Sequence, residues 1–304
     1  MEQAPPLSTA AIRRTPGGAV LMDGAALRDE TVARLRAEID ALGSPAVCLA
    51  TVLVGDDKPS QIYVRSKHKK ASEAGMTSKH AALAPNATQD EVEAAVLAFA
   101  DAPDVHGILV QLPLPGGLDE EAVLDLVPAA KDVDGLTEAS MGRLLRGRDG
   151  HVPCTPQGVL RLLQRYGIGT TGQKAIVIGR SSLVGLPLAV LLARKGTDAT
   201  VTLAHSRTKD LVDACRDADI VIAAAGIAGL ITADHVKPGA TVIDVGVSRT
   251  ATGIVGDVDF AAVQAVAGAI TPMPGGTGPM TIACLLENTL AAARMLGALP
   301  SGER

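Results

Sequence analysis

From Ala26 onward, short uninterrupted apolar runs alternate with longer stretches of mixed polarity. The spacing predicts a helix from Ala26 to Leu42, a strand from Ala46 to Val54, a helix from Ser60 to Ala74, a strand near Ser78 to Leu83, a helix from Thr88 to Phe99 and a strand from Val105 to Val110. Continuous apolar strands separated by helices of about 10–15 residues are what a parallel sheet covered on both faces requires, so the class is α/β. Gly147, Asp149, Gly150 and Pro153 interrupt the pattern between Arg146 and Pro156, and a domain boundary is expected there. A second series follows, with strands Lys174 to Ile178, Ala199 to Leu203, Ile220 to Ala224 and Thr241 to Val245 and a helix from Val184 to Lys195. A Gly/Pro-rich loop then leads to a last helix, Thr281 to Leu296, expected to pack back on the first domain. The expected division is an extension over 1–19, a first domain of 20–150 with 281–304, and a second of 151–280.

Composition narrows the class. With 304 residues, 47% hydrophobic and 20% charged, the chain reads as a globular protein of one large or two medium domains. Its formal charge of −5 argues against a nucleic-acid surface, which needs a clustered excess of Lys and Arg. Cys48, Cys154, Cys215 and Cys284 are too far apart for a disulfide framework or a zinc site, and fit reduced thiols in the cytoplasm. The most apolar window, Ala218 to Ile231, is shorter than the roughly 20 residues a membrane span needs. The first 18 residues lack a signal-peptide core and read as a disordered tail, with Arg13 and Arg14 leaving a transit-like segment as the alternative.

Two regions carry chemistry. The first is Gly179-Arg-Ser181-Ser-Leu-Val-Gly185, which runs from an apolar strand through a small-residue turn into a helix, as a pyrophosphate site requires. It departs from the usual dinucleotide fingerprint, because Ser181 replaces the second Gly and the last Gly comes one place late; a tight turn without a ligand is the alternative. The next strand ends in His205-Ser206-Arg207 with no carboxylate, so a 2′-phosphate is not repelled and NADP is favoured over NAD. Ser206 also suits a helix N-cap.

The second region is in the first domain. Rings are scarce, with two Tyr, two Phe and no Trp, yet Tyr63 stands four residues before Lys67 on a basic helix ended by Gly75. A flat ring beside a cation suits a planar substrate; a solvated basic face is the bland alternative. Gln111 lies at a strand's carboxyl end, where open α/β sheets bind ligands, or else caps a loop. Of Asp132 and Asp134, which stand two apart on an extended stretch, only one is expected to face a ligand. A desolvated lysine with a carboxyl and an amide suits acid/base chemistry on a nitrogen heterocycle. The glycines of Thr271-Pro-Met-Pro-Gly275-Gly276-Thr-Gly278 permit close backbone approach.

Taken in order, Val54 to Ser60, Tyr63 to Lys67, Val110 to Pro115, Lys131 to Gly135, Pro153 to Gly158, Gly179 to Gly185, Ala199 to Ser206, Gly256 to Asp259 and Thr271 to Thr281 resemble the bifunctional methylenetetrahydrofolate dehydrogenase/methenyltetrahydrofolate cyclohydrolase family. The resemblance runs from about Met22 to Leu296. It implies an N-terminal α/β catalytic domain and a C-terminal Rossmann-type NADP-binding domain with a cleft between them. It also implies oxidation of 5,10-methylenetetrahydrofolate by NADP⁺ and hydrolysis of the methenyl product to 10-formyltetrahydrofolate. In that reading Tyr63 stacks on folate, Lys67 handles protons, Gln111 orients Lys67 and water, and Asp134 bonds the pterin. Pro274, Gly275 and Gly276 line the substrate cleft, while Gly179, Arg180, Ser181, Ser206, Val247 and Thr277 bind NADP, Arg180 and Ser206 through its 2′-phosphate. No metal, nucleic acid or membrane is implied; a cytoplasmic homodimer is. The stretch Leu136-Thr-Glu-Ala-Ser140 departs from the family pattern, which puts the surroundings of Asp134 in question. A monofunctional dehydrogenase and a non-catalytic folate sensor are the rival readings.

Overall fold

The computed structural model describes residues 12–251 and 253–299. The first half of the chain carries β1 (Val20–Leu21), α1 (Gly24–Ala41), β2 (Cys48–Val54), α2 (Lys58–Glu73), β3 (Thr77–Leu83), α3 (Gln89–Asp101), β4 (Gly107–Val110), α4 (Glu120–Asp125), α5 (Glu138–Leu145) and α6 (Cys154–Arg165). The second half continues with β5 (Lys174–Ile178), α7 (Gly185–Ala193), β6 (Thr200–Ala204), α8 (Leu211–Arg216), β7 (Ile220–Ala223), β8 (Thr241–Asp244), β9 (Ser248–Thr250), β10 (Gly253–Val255), α9 (Phe260–Val263), β11 (Ala269–Ile270) and α10 (Thr277–Met295). These form two compact α/β units. One holds Asp29–Cys154 and the chain from Ile282 onward; the other holds the chain up to Arg28 and Thr155–Thr281.

In the first unit β2 lies between β3 and β4, and all three strands are parallel. A central strand is covered on both faces, which is why all seven residues of Cys48–Val54 are apolar or Thr and all are buried. Alternate residues serve opposite cores: Cys48, Ala50, Val52 and Val54 pack with Val92 and Val96 of α3, whereas Leu49 packs with Leu285 and Leu286 of α10. Helix α2 starts where the Asp57 side chain accepts from Ser60 N, with Pro59 in the first turn, and it ends before Gly75, whose φ of +84° a side chain would strain. Helix α3 opens on a reciprocal capping box between Thr88 and Glu91.

The second unit is a six-stranded parallel sheet in the order β1-β11-β8-β7-β5-β6. The chain begins the central part of this sheet at β5, places β6 on one side, and then moves to β7 on the other. That reversal opens a crevice at the carboxyl ends of β5 and β7, the usual ligand position in doubly wound sheets.

The extension expected over 1–19 lies outside the described residues as far as residue 11. Residues 12–19 are ordered: Gly18 N donates to Thr15 O, and Ala19 is buried in the second unit's core. The strand Val20–Leu21 then pairs with Ala269–Ile270, and the compact unit that holds this sheet includes residues 20–28. A two-residue strand is too short for a period to register. Among the described residues no helix is long and apolar enough to cross a membrane.

Candidate active site

Helix α2 turns one face toward the sheet, and Val64, Lys67 and Ala71 are its buried residues. Lys67 is thus an amine on a face that should be apolar, only 4% exposed. Its Nζ donates to Gln111 Oε1 at 3.0 Å and lies 4.7 Å from the centroid of the Tyr63 ring. The i, i+4 spacing and the strand-end position of Gln111 therefore bring these three residues together. Gln111 is itself fixed, because its Nε2 donates to Leu112 O at 2.8 Å and its backbone N to Val52 O. That choice of amide orientation leaves Oε1 aimed at the amine. Beside Lys67, the fully buried Thr51 hydroxyl bonds His68 Nε2 and His80 Nδ1, each at 2.8 Å. Burial, with the charges of His80 and Lys67, lowers the His68 pKa.

The stretch Lys131-Asp-Val-Asp-Gly135 continues the sheet, since Ile108 N donates to Lys131 O and Ile108 bridges Asp132. Its side chains divide by parity. Lys131 Nζ reaches back to Ala100 O and Ala102 O, terminating α3. Asp132 is buried, with Oδ1 accepting from Gly135 N and Leu136 N, and Oδ2 accepting from Thr137 N and Thr137 Oγ1. Val133 is core, and Asp134 is the partly buried carboxyl facing Lys67. Gly135 has a φ of +72°, and a Cβ there would lie 2.5 Å from the Val152 carbonyl carbon. Of the two carboxyls, Asp132 holds the turn and Asp134 faces the Lys67 amine.

Burial moves the two ionisable partners toward each other. Desolvation lowers the pKa of Lys67 and raises that of Asp134, while their mutual attraction opposes both shifts. The neighbouring Cys154 thiol is pushed well above its ordinary range by burial and by the Asp134 charge. It stays a thiol, donating to Val133 O at 3.2 Å. Asn288 of α10, buried, donates to Val133 O at 2.8 Å and Val152 O at 3.2 Å, tying the Asp134 strand to the start of α6.

In the other unit, β5 leads into Gly179, whose φ is +123°. A Cβ there would sit 2.0 Å from Ala224 O, and one at Gly185 would sit 2.0 Å from Gly179 O. Both positions are closed to side chains, so the turn stays tight enough for its amides to reach a diphosphate. Ser181 Oγ accepts from Val184 N at the mouth of α7. Arg180, Ser206 and Arg207 are exposed at the carboxyl ends of β5 and β6. Helix α8 begins after Asp210, so Ser206 is not its cap. Val247 is 57% exposed beyond β8. Thr277 is buried and its hydroxyl donates to Asp244 O at 2.9 Å, so it braces the end of β8 instead of presenting a free hydroxyl. Pro274, Gly275 and Gly276 belong to this same unit, directly before α10. A cleft of about 400 Å³ beside Gly167, Asp219 and Lys237 lies at the amino ends of β7 and β8, away from these groups.

Models of the tetrahydrofolate dehydrogenase/cyclohydrolase catalytic domain and of its NAD(P)-binding domain match residues 22–134 and 153–296. The chain belongs to the tetrahydrofolate dehydrogenase/cyclohydrolase family. It is 49% identical over 278 residues to bifunctional protein FolD of Oleidesulfovibrio alaskensis, covering 90% of this chain and 97% of that one. It is 52% identical to bifunctional protein FolD 2 of Frankia alni, with 91% and 96% covered. The crystal structure of FolD from Campylobacter jejuni superposes with a TM-score of 0.87 at 44% identity, covering 90% and 98%. That of the Trypanosoma brucei enzyme, complexed with NADP and an inhibitor, gives 0.86 at 39%, covering 91% and 98%.

Within this family member, the residues that sequence reasoning passed over are those acting behind the site. Cys154 sits in a quoted motif but reads there only as a reduced thiol. Asn288 gives no signal at all, since an amide inside an apolar helix period shows its role only when its carbonyl partners are known.

Proposed function

We propose that this chain oxidises 5,10-methylenetetrahydrofolate with NADP⁺ and hydrolyses the resulting methenyl cation to 10-formyltetrahydrofolate, with one folate site in the first unit serving both steps. The observation that carries the reading is the buried Lys67 amine, hydrogen-bonded to Gln111, beside the Tyr63 ring and electrostatically coupled to Asp134. Tyr63 supplies a flat surface for the folate ring system, and Asp134 bonds its polar edge. Hydrolysis of an electrophilic methenyl cation needs a placed water and a group to accept its proton. Gln111 and Lys67 meet those needs. As water adds, Lys67 Nζ takes the proton and returns it to the folate nitrogen that leaves when the ring opens.

The second unit fits NADP: Gly179 and Gly185 admit no side chain, Ser181 lies at a helix mouth, and no carboxylate ends β6. When bound, NADP⁺ accepts the hydride. Arg180 and Ser206 would hold its 2′-phosphate and Val247 would lie against it. Replacing Arg180 and Ser206 together by Ala should weaken NADP by about tenfold to a hundredfold and leave NAD nearly unchanged. Equal losses for both cofactors would remove the 2′-phosphate assignment.

Purified protein given methylenetetrahydrofolate and NADP⁺, with methenyl and formyl products followed separately, tests the whole reading. Both products should appear in sequence. Absence of NADP-dependent oxidation overturns it, and methenyl accumulation without formyl product would leave a dehydrogenase alone. We also propose a cytoplasmic homodimer, which sedimentation of the purified protein checks.

A further inference from the structure

The nucleotide unit buries two carboxylates that none of these steps uses, Asp244 and Asp257, 1% and 0% exposed. Asp244 ends β8. Its Oδ1 accepts from Gly246 N at 3.0 Å and Asp257 N at 2.9 Å, and its Oδ2 accepts from Val258 N at 3.0 Å. Asp257 Oδ2 in turn accepts from Ala225 N at 2.7 Å and Gly226 N at 2.9 Å, while its Oδ1 is buried with no hydrogen-bond partner. The two acids therefore tie the loop leaving β8 to the loop leaving β7. All five groups they face are N–H donors; those of Asp244 use both its oxygens, which an amide could satisfy only in part, whereas those of Asp257 share one oxygen.

The place of this link gives it a function. The loop at Ala224 to Gly226 is the wall against which Gly179 packs, since a Cβ on Gly179 would meet Ala224 O at 2.0 Å and Ala225 N at 3.3 Å. It stands on the β7 side of the crevice between β5 and β7, where a doubly wound sheet binds its nucleotide. The sequence also reserves room for the carboxylates. A Cβ on Gly246 would lie 2.0 Å from the Asp257 carboxyl carbon, and one on Gly256 would lie 1.8 Å from Asp244 Oδ2.

We propose that Asp257 is a positioning residue of the dinucleotide site, fixing the successive N–H groups of Ala225 and Gly226 and so the wall of the crevice opposite the Gly179 turn, with Asp244 holding Asp257 in place. The inference rests on the assignment of this unit to NADP. Burial, which pushes the Asp244 carboxyl up to about 6, is consistent with two acids confined beneath a ligand-binding loop.

The test measures NADP⁺ binding by calorimetry, KM for NADP⁺ and kcat of the dehydrogenase, and hydrolysis of methenyltetrahydrofolate supplied directly, for wild type, Asp257→Ala and Asp257→Asn. Asp257→Ala should raise Kd and KM for NADP⁺ by about tenfold or more, since two N–H groups lose their acceptor, with kcat and hydrolysis little changed. Asp257→Asn, whose carbonyl can still accept from both, should recover most of the affinity. Gly246→Ala displaces the carboxylate without removing it and should reproduce the weaker binding, which keeps the test available if Asp257→Ala does not fold. Unchanged NADP⁺ constants in both Asp257→Ala and Gly246→Ala overturn the proposal, as does a parallel loss of hydrolysis and NADP⁺ binding, which would mark a general folding role. Wild-type protein that binds no NADP⁺ overturns the cofactor assignment itself.

Discussion

Lys67→Met lowers hydrolysis of methenyltetrahydrofolate by about 10²- to 10⁴-fold, the usual contribution of a placed proton-transfer group, while NADP affinity stays at the wild-type value. The thioether matches the length and shape of the amine's stem, so the apolar contacts of a side chain that is 4% exposed are kept. Burying an ionisable amine carries a desolvation cost that the substitution relieves, and the melting temperature should therefore not fall with the activity. The pH profile gives a second check. Burial lowers the Lys67 pKa, so the neutral amine is present at pH values where an exposed lysine is still charged. Hydrolysis in the wild type should rise with pH through an ionisation below the ordinary lysine value of 10.5, and Lys67→Arg, whose side chain keeps its charge, should lack that limb. A Lys67→Met enzyme that hydrolyses within about tenfold of wild type would take the proton chemistry away from this residue.

Asp132→Ala destabilises the folate-binding unit by about 3 kcal/mol or more, because the backbone N–H groups of Gly135, Leu136 and Thr137 and the Thr137 hydroxyl lose their acceptor in a buried turn. At about 2–4 °C per kcal/mol this lowers the melting temperature by roughly 10 °C, and urea denaturation should show the same loss. Hydrolysis falls as well, since the turn that aims Asp134 is no longer fixed. Asp134→Asn differs in its stability: hydrolysis is reduced while the melting temperature is nearly kept. A shallow effect of Asp132→Ala on the melting curve would mean that water replaces the carboxylate and that the turn is held elsewhere.

Much of this arrangement is legible in the order of residues. The strands β2, β4, β5, β7 and β8 lie within a few residues of their apolar runs, because a strand buried on both faces leaves an unbroken hydrophobic signature. The proximity of Tyr63, Lys67 and Gln111 follows from a helical repeat and a strand end. The two-residue spacing of Asp132 and Asp134 is also visible, but which of the two holds the turn and which faces Lys67 is not. That depends on Thr137, which donates to Asp132 and accepts from Ser140 N at the start of α5. The altered stretch Leu136 to Ser140 is thus part of the support for Asp132, a role that its departure from the family pattern does not reveal. The Asp244 and Asp257 pair is hidden for a similar reason: the partners of both are backbone amides, those of Asp257 on a loop 31 and 32 residues away, and no side-chain pattern records a backbone contact.

The bridge between Ile108 and Asp132 fixes the phase of the residues that follow. In an extended segment the two sides differ by a single step, so one residue inserted or deleted between Asp132 and Asp134 would leave the turn-holding carboxylate in place and turn Asp134 away from Lys67. Changes of length in this region should be tolerated only where the chain is exposed and off the ladder, at 145–150. A library of single-residue insertions along 125–155 should therefore show no graded decline in hydrolysis. It should show an abrupt dead zone that runs from the Asp132 turn into α5 and a permissive zone opening after Leu144.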